Sequence, residues 1–172
     1  AISFWHDWST AAGRWRSAIS SIAAGTWYHV VVTYNGSGVA PGNDPVFYIN
    51  GAVSATTEMT IPEGTISTDN AQALNLGERT GTANVAFDGK LEDVRIYNRI
   101  LTAQEIAILA AGYRDPLGGE VLWVQAHGPD GNLSTGTANV FDFSGNGNHG
   151  TPQGGGAYVA SYAPRLGRFK IG

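Results

Sequence analysis

The sequence predicts an all-β protein, and three observations carry that expectation. Of its 172 residues 24 are glycine, roughly twice average usage, while charged residues make up only 14%. Short runs of aromatic and β-branched residues recur between turn-forming Gly, Asn, Asp and Pro. The third observation lies within residues 25–55, GTWYHVVVTYNGSGVAPGNDPVFYINGAVSA, where Asn50-Gly51 sits between two apolar runs. Asn-Gly in that setting is a strong hairpin indicator, because a type I′ turn needs two positive φ angles.

The elements follow in order. Residues 1–8 (AISFWHDW) read as a strand with Ile2, Phe4 and His6 on one face. After a turn at 9–13, residues 14–22 (RWRSAISSI) read as a strand and a loop. Residues 27–34 separate at a spacing of two into Tyr28, Val30, Val32, Tyr34 and Trp27, His29, Val31, Thr33. Both faces are largely apolar, which predicts a central strand covered on both sides. Residues 35–44 form a Gly/Asn/Pro loop, and 45–49 with 52–56 form the hairpin. Residues 57–69, carrying Pro62 and Gly64, are expected to wander along an edge. Residues 73–77 (ALNLG) alternate and predict a short strand, with a turn at 78–84. Residues 87–98 (FDGKLEDVRIYN) predict a strand whose broken alternation places a bulge near Glu92-Asp93.

One helix is expected near residues 102–111. Thr102 and Glu105 stand in the capping-box arrangement, and Leu101 with Ile106 makes the hydrophobic staple. Gly112 supplies the stop, with Pro116 shortly beyond. Gly118-Gly119 then marks a boundary, and residues 120–126 (EVLWVQA) predict another strand. A polar loop at 127–139, a Gly/Asn-rich loop containing DFSGNGNHG, and short strands AYVASY and RFKI complete the chain.

Composition excludes several classes of function. The net charge is −4 and no basic run occurs, so nucleic acid is not an expected partner. Without cysteine there is neither a disulfide nor a thiolate metal site. No apolar run approaches ~18 residues, so no membrane span is expected. The glycines keep no period of three, which excludes collagen. A start at Ala1, with no signal peptide, fits a processed chain or one piece of a longer protein.

With these segments in view, the chain resembles the laminin-G-like, concanavalin-A-like jelly-roll family. The points of contact are GTWYHVVVTYNGSG, FYINGAV, LNLGER, FDGKLEDVRIYNRILTAQEIAIL and DFSGNGNHGT. The resemblance implies a two-sheet antiparallel jelly-roll sandwich. It also exposes a departure. The DFSGNGNHGT segment, near the start of the domain in that family, here follows the helix as Asp142–Thr151. Residues 1–116 therefore read as the jelly-roll core, and 117–172 as a segment resembling the start of such a module. That segment could begin a second tandem module, complete a circularly permuted one, or be donated to a neighbouring copy. Leaving Trp123, Phe141, Tyr158 and Phe169 unpacked would expose apolar surface and strand edges. The segment is therefore expected to pack on its own or a neighbouring sandwich.

Three chemistries are candidates. Glycoside hydrolysis needs two carboxylates about 5–5.5 Å or about 6.5–9.5 Å apart. The acidic pair Glu92-Asp93 is adjacent and so points to opposite faces of a strand. No Glu-x-Asp-x-Glu occurs, and His6, His29, His127 and His149 are scattered, so no catalytic residues are expected. Calcium is the candidate cofactor, since it takes oxygen ligands. Asp142, Ser144, Asn146 and Asn148 lie on a glycine-spaced loop that Asp88, Glu92 and Asp93 could meet. The candidate metal ligands are thus Asp142, Asn146, Asn148, Asp88 and Asp93, against the alternative that this loop is built of ordinary turn formers. For glycans, Trp5, Trp8 and Trp15 cluster near the start with His6, Asp7, Arg14 and Arg16 between them. Trp5, Trp8, Trp15 and Arg14 are the candidate ligand-binding residues, against packing of the same tryptophans in a core or interface.

The resulting expectation is a non-catalytic structural and recognition module on a cell exterior or virus particle. It would assemble with copies of itself or a larger partner. The alternative is a carbohydrate-binding module of a secreted enzyme or adhesin, with a glycoside hydrolase the least supported.

Overall fold

The structure is a computed structural model that describes residues 1–36, 44–68, 73–77, 87–125 and 140–151, and the backbone of 169–171. The expected turn at 78–84, the loop at 127–139 and the strand at 157–162 lie outside these residues.

The strands are β1 (Ser3–His6), β2 (Gly13–Ser17), β3 (Trp27–Tyr28), β4 (Val30–Thr33), β5 (Val46–Ile49), β6 (Ala52–Ser54), β7 (Thr56–Thr60), β8 (Gly89–Lys90) and β9 (Val94–Tyr97). Helix α1 (Ala103–Ala110), β10 (Glu120–Val124) and β11 (Phe169–Ile171) follow. All pairings are antiparallel, and they form the sets β1-β2-β7, β4-β5-β6, β3-β11-β8 and β9-β10. The all-β architecture with one short helix is therefore as expected.

The hairpin is built on Asn50 at φ 52 and Gly51 at φ 82. A side chain at Gly51 would also press on Ala110 and Ala107 of α1, so this turn needs glycine for space as well as conformation. The run 27–34 differs from a single strand. It breaks at His29, whose N–H donates to Asn50 Oδ1 (3.0 Å) and whose carbonyl accepts the Asn50 N–H (2.8 Å). The central strand of its set is β5, between β4 and β6. Cover on both sides does hold. Val31 and its cross-strand partner Tyr48 pack against the helix cluster of Leu101, Ile106 and Leu109. Tyr34, on the opposite side, stacks with Phe4 (5.3 Å), Trp15 (5.5 Å) and His6 (6.0 Å) of β1 and β2. Phe47, opposite Val32, is fully buried on that second side.

Two further expectations change. Residues 56–60 do not wander but form β7, the edge strand beside β2. Residues 73–77 do not form a strand: Asn75 bonds back to the Ala73 carbonyl (3.1 Å), and Leu74 and Leu76 are exposed. Such a local side-chain bond competes with a ladder. The expected irregularity near Glu92-Asp93 is present as the break between β8 and β9, with Asp93 at φ 55.

The helix ends as its sequence dictates. Thr102 Oγ1 accepts the Glu105 N–H (3.2 Å) and the Glu105 carboxylate accepts the Thr102 N–H (2.8 Å). At the other end Gly112 N–H bonds the Leu109 carbonyl and Tyr113 N–H that of Ile108, a Schellman arrangement. Arg99 grips both Glu105 oxygens and the carbonyls of Leu117 and Gly118, which ties the helix start to the segment entering β10.

Candidate functional site

Alternation divides the tryptophan-rich start between two sides of one sheet. Trp15 is 1% exposed; it packs on Phe4 and Tyr34, and its indole N–H donates to Asp44 (2.7 Å). Trp8 is also buried. The indole of Trp15 lies across Gly13, where any side chain would collide with it. Neither Trp8 nor Trp15 therefore offers a face to a ligand. Trp5, with the opposite parity on β1, is 57% exposed. Its cross-strand partner is Arg14, whose guanidinium carbon lies 5.5 Å from the indole centroid. Of the four expected ligand-binding residues, the fold brings Trp5 and Arg14 together on the open face of β1-β2-β7. Arg16, two positions along β2 and opposite Ser3, shares that face. The spacing of two in RWR is the sequence feature that finds it.

The DFSGNGNHG loop closes on itself and on β10. Val140 and Gly150 exchange both backbone bonds at 2.8 Å. Inside that ring Asp142 is buried. Its Oδ1 accepts the N–H groups of Trp123 and Ser144 (2.9 Å each), and its Oδ2 accepts the Ser144 hydroxyl (2.8 Å) and the Asn148 N–H (2.9 Å). Burial pushes this carboxyl up, but the donors from Trp123, Ser144 and Asn148 outweigh it and hold it down at about 2. Asn146 and Asn148 point amide N–H groups at the carbonyls of Glu120 (2.8 Å) and Val121 (2.7 Å). His149 Nδ1 accepts the Asp142 N–H at 3.1 Å.

Of the remaining acidic candidates, Asp93 and Glu92 are engaged elsewhere. Asp93 takes Arg95 through both oxygens (2.9 and 3.2 Å) and the Trp123 indole N–H (2.7 Å), and the Arg95 guanidinium stacks 4.1 Å from the Trp123 ring. Glu92 pairs with Arg114 (2.8 Å), and Asp88 is exposed. Among the described residues no three acidic or histidine side chains converge as metal ligands. A calcium ion at Asp142 would have to displace donors that already fill both carboxylate oxygens, so these residues do not fit it. The acidic pair Glu92-Asp93 is likewise neutralised by two arginines, the reverse of a carboxylate pair left free for acid–base work.

Antiparallel sheets with one short helix are the architecture of a concanavalin A-like β-sandwich, and comparison with known families agrees. Residues 1–107 match a laminin G-type family model described as the concanavalin A-like lectin/glucanases superfamily. The chain belongs to that family. No curated protein and no solved structure matches it. Membership makes the chain a carbohydrate-binding or structural module in general; the superfamily holds both glycosidases and non-enzymatic lectins and laminin G modules. Laminin G-like domains are usually extracellular, and among the described residues no helix is long and apolar enough to cross a membrane.

Proposed function

We propose that this chain is a non-catalytic extracellular recognition module that holds a glycan on the outward face of β1 and β2. One observation carries the reading: Trp5 is exposed while the Arg14 guanidinium lies over its ring, 5.5 Å from the centroid. A held, half-open indole offers a flat apolar surface to the C–H face of a pyranose, and ordering it in advance lowers the entropic cost of binding. The neutralised Glu92-Asp93 pair supports the absence of catalysis. The Asp142 loop, on this reading, is a metal-free clip that fastens residues 140–150 to β10. Titration of the chain and of Trp5→Ala against neutral and acidic oligosaccharides tests the proposal. Binding lost in Trp5→Ala is expected; a Trp5→Ala chain that binds as well as wild type overturns it.

Self-assembly is supported by a different observation. Edge strand β7 carries exposed Met59 and runs on into exposed Ile61, a surface that could pair with another copy. Sedimentation across a concentration series tests it, with a concentration-independent monomer ruling against assembly.

A further inference from the structure

We infer that the ligand taken by this face is an acidic polysaccharide, a chain of pyranoses bearing carboxylates. The inference rests on the glycan reading above and adds the charge of the glycan. Its starting point is a contrast among the arginines. Arg95, Arg99 and Arg114 each hold a carboxylate, of Asp93, Glu105 and Glu92 respectively, at 2.7–2.9 Å. Those three serve the fold, tying β9, α1 and the approach to β10. Arg14 and Arg16 have no carboxylate partner among the described residues; Arg14 is exposed, while Arg16 is half-buried, its Nε buried and without a hydrogen-bond partner there. They stand two residues apart on one strand, so both project from one face, about 6.6 Å apart along it.

Among the described residues, the neighbours leave that charge uncompensated. Across β1 they meet Trp5 and Ser3, and across β7 they meet Thr60 and Thr57. The acid of β7, Glu58, lies opposite Trp15 rather than opposite either arginine. Asp7, beyond the end of β1, is exposed and makes no ion pair with them. A chain of net charge −4 thus sets two guanidinium groups with no carboxylate partner among the described residues beside its exposed tryptophan, on a strip bordered by hydroxyls. Guanidinium groups recognise carboxylates through paired N–H donors, and the indole recognises the sugar ring between them. A uronic-acid polymer repeats both features along its length; a neutral glycan would leave Arg16 without a partner and Arg14 with only the indole.

The test is calorimetric titration with oligogalacturonate and hyaluronan oligosaccharides, with the methyl ester of each as a matched neutral probe, and with neutral β-glucan oligosaccharides. The acids should bind, and Arg14→Gln and Arg16→Gln should each weaken them by about tenfold. Esterification should cost at least as much. Arg14 is exposed and Arg16 only half-buried, so circular dichroism should show Arg14→Gln folded as wild type and serves to check that Arg16→Gln is folded too. If the esters bind as tightly as the acids and only Trp5→Ala matters, the glycan reading stands and the acidic inference falls. If neither acids, esters nor β-glucans bind, both fall.

Discussion

Trp123 and Asp142 join the Gly/Asn-rich loop to β10 from both directions. The Asp142 carboxylate accepts the Trp123 N–H at 2.9 Å, and the Trp123 carbonyl accepts the N–H of Phe143, next in sequence after Asp142, at 2.7 Å. The aspartate thereby organises a turn and fastens a strand with the same oxygen atoms. Asp142→Asn keeps the shape but turns one acceptor into a donor facing N–H groups. It should destabilise the protein by about 1–3 kcal/mol in urea unfolding. A change within error would mean that the loop contributes nothing to the fold.

Acid should act through the same residue. A carboxyl held at about 2 when folded, against an ordinary 3.8, stabilises the protein fully above the ordinary value and loses that contribution as pH falls toward 2. Glu105 behaves alike: the Arg99 hydrogen bonds and the Thr102 N–H hold it at about 2. Stability should therefore fall between about pH 4.5 and pH 2, and the gap between wild type and Asp142→Asn should narrow over the lower part of that window. Paired urea titrations at pH 7, 4 and 2.5 check this; a gap that stays constant would sink the assignment.

Calcium offers an independent check on the loop. Its donors are already satisfied within the protein, so chelation should leave the melting temperature unchanged, and added calcium should not raise it. A calcium-dependent rise would require the Asp142 hydrogen bonds to open, and would return the loop to the metal-binding role its composition suggests.

Part of the fold is legible in the sequence alone, and the reason is local. Asn50-Gly51 and the Thr102–Glu105 pair act over three or four residues, so sequence order alone specifies their geometry. The irregularity at Asp93 showed as a broken alternation. Long-range facts were harder. Nothing local in TTEMT marks β7 as a strand, because an edge position tolerates polar residues on both faces. Nothing local distinguishes the two fates of a Gly/Asn loop whose aspartate could meet a metal or backbone N–H groups. Only the arrival of β10 beside it decides, and that depends on Trp123, 19 residues earlier.

Gly13 should resist substitution although it sits in an ordinary strand. The Trp15 indole lies over its Cα and leaves no room for a methyl group. Gly13→Ala must displace a ring that is 1% exposed and held by Asp44. Overpacking of this kind costs about 1–3 kcal/mol, and unfolding midpoints measure it. Gly25, whose added side chain would meet open space, controls for strand-independent effects of losing glycine, although its positive φ carries its own strain.

The tryptophans should separate cleanly when stability and binding are measured on the same variants. Trp15→Ala removes a buried ring stacked on Phe4 and Tyr34 and leaves Asp44 without its indole donor. It should cost about 3–5 kcal/mol, enough to threaten folding of a domain of this size. Trp5→Ala removes an exposed ring whose contact with Arg14 spans 5.5 Å, so stability should move by no more than about 0.5–1 kcal/mol. If Trp5→Ala instead unfolds the protein, the ring is structural and the open face loses its claim to be a binding site.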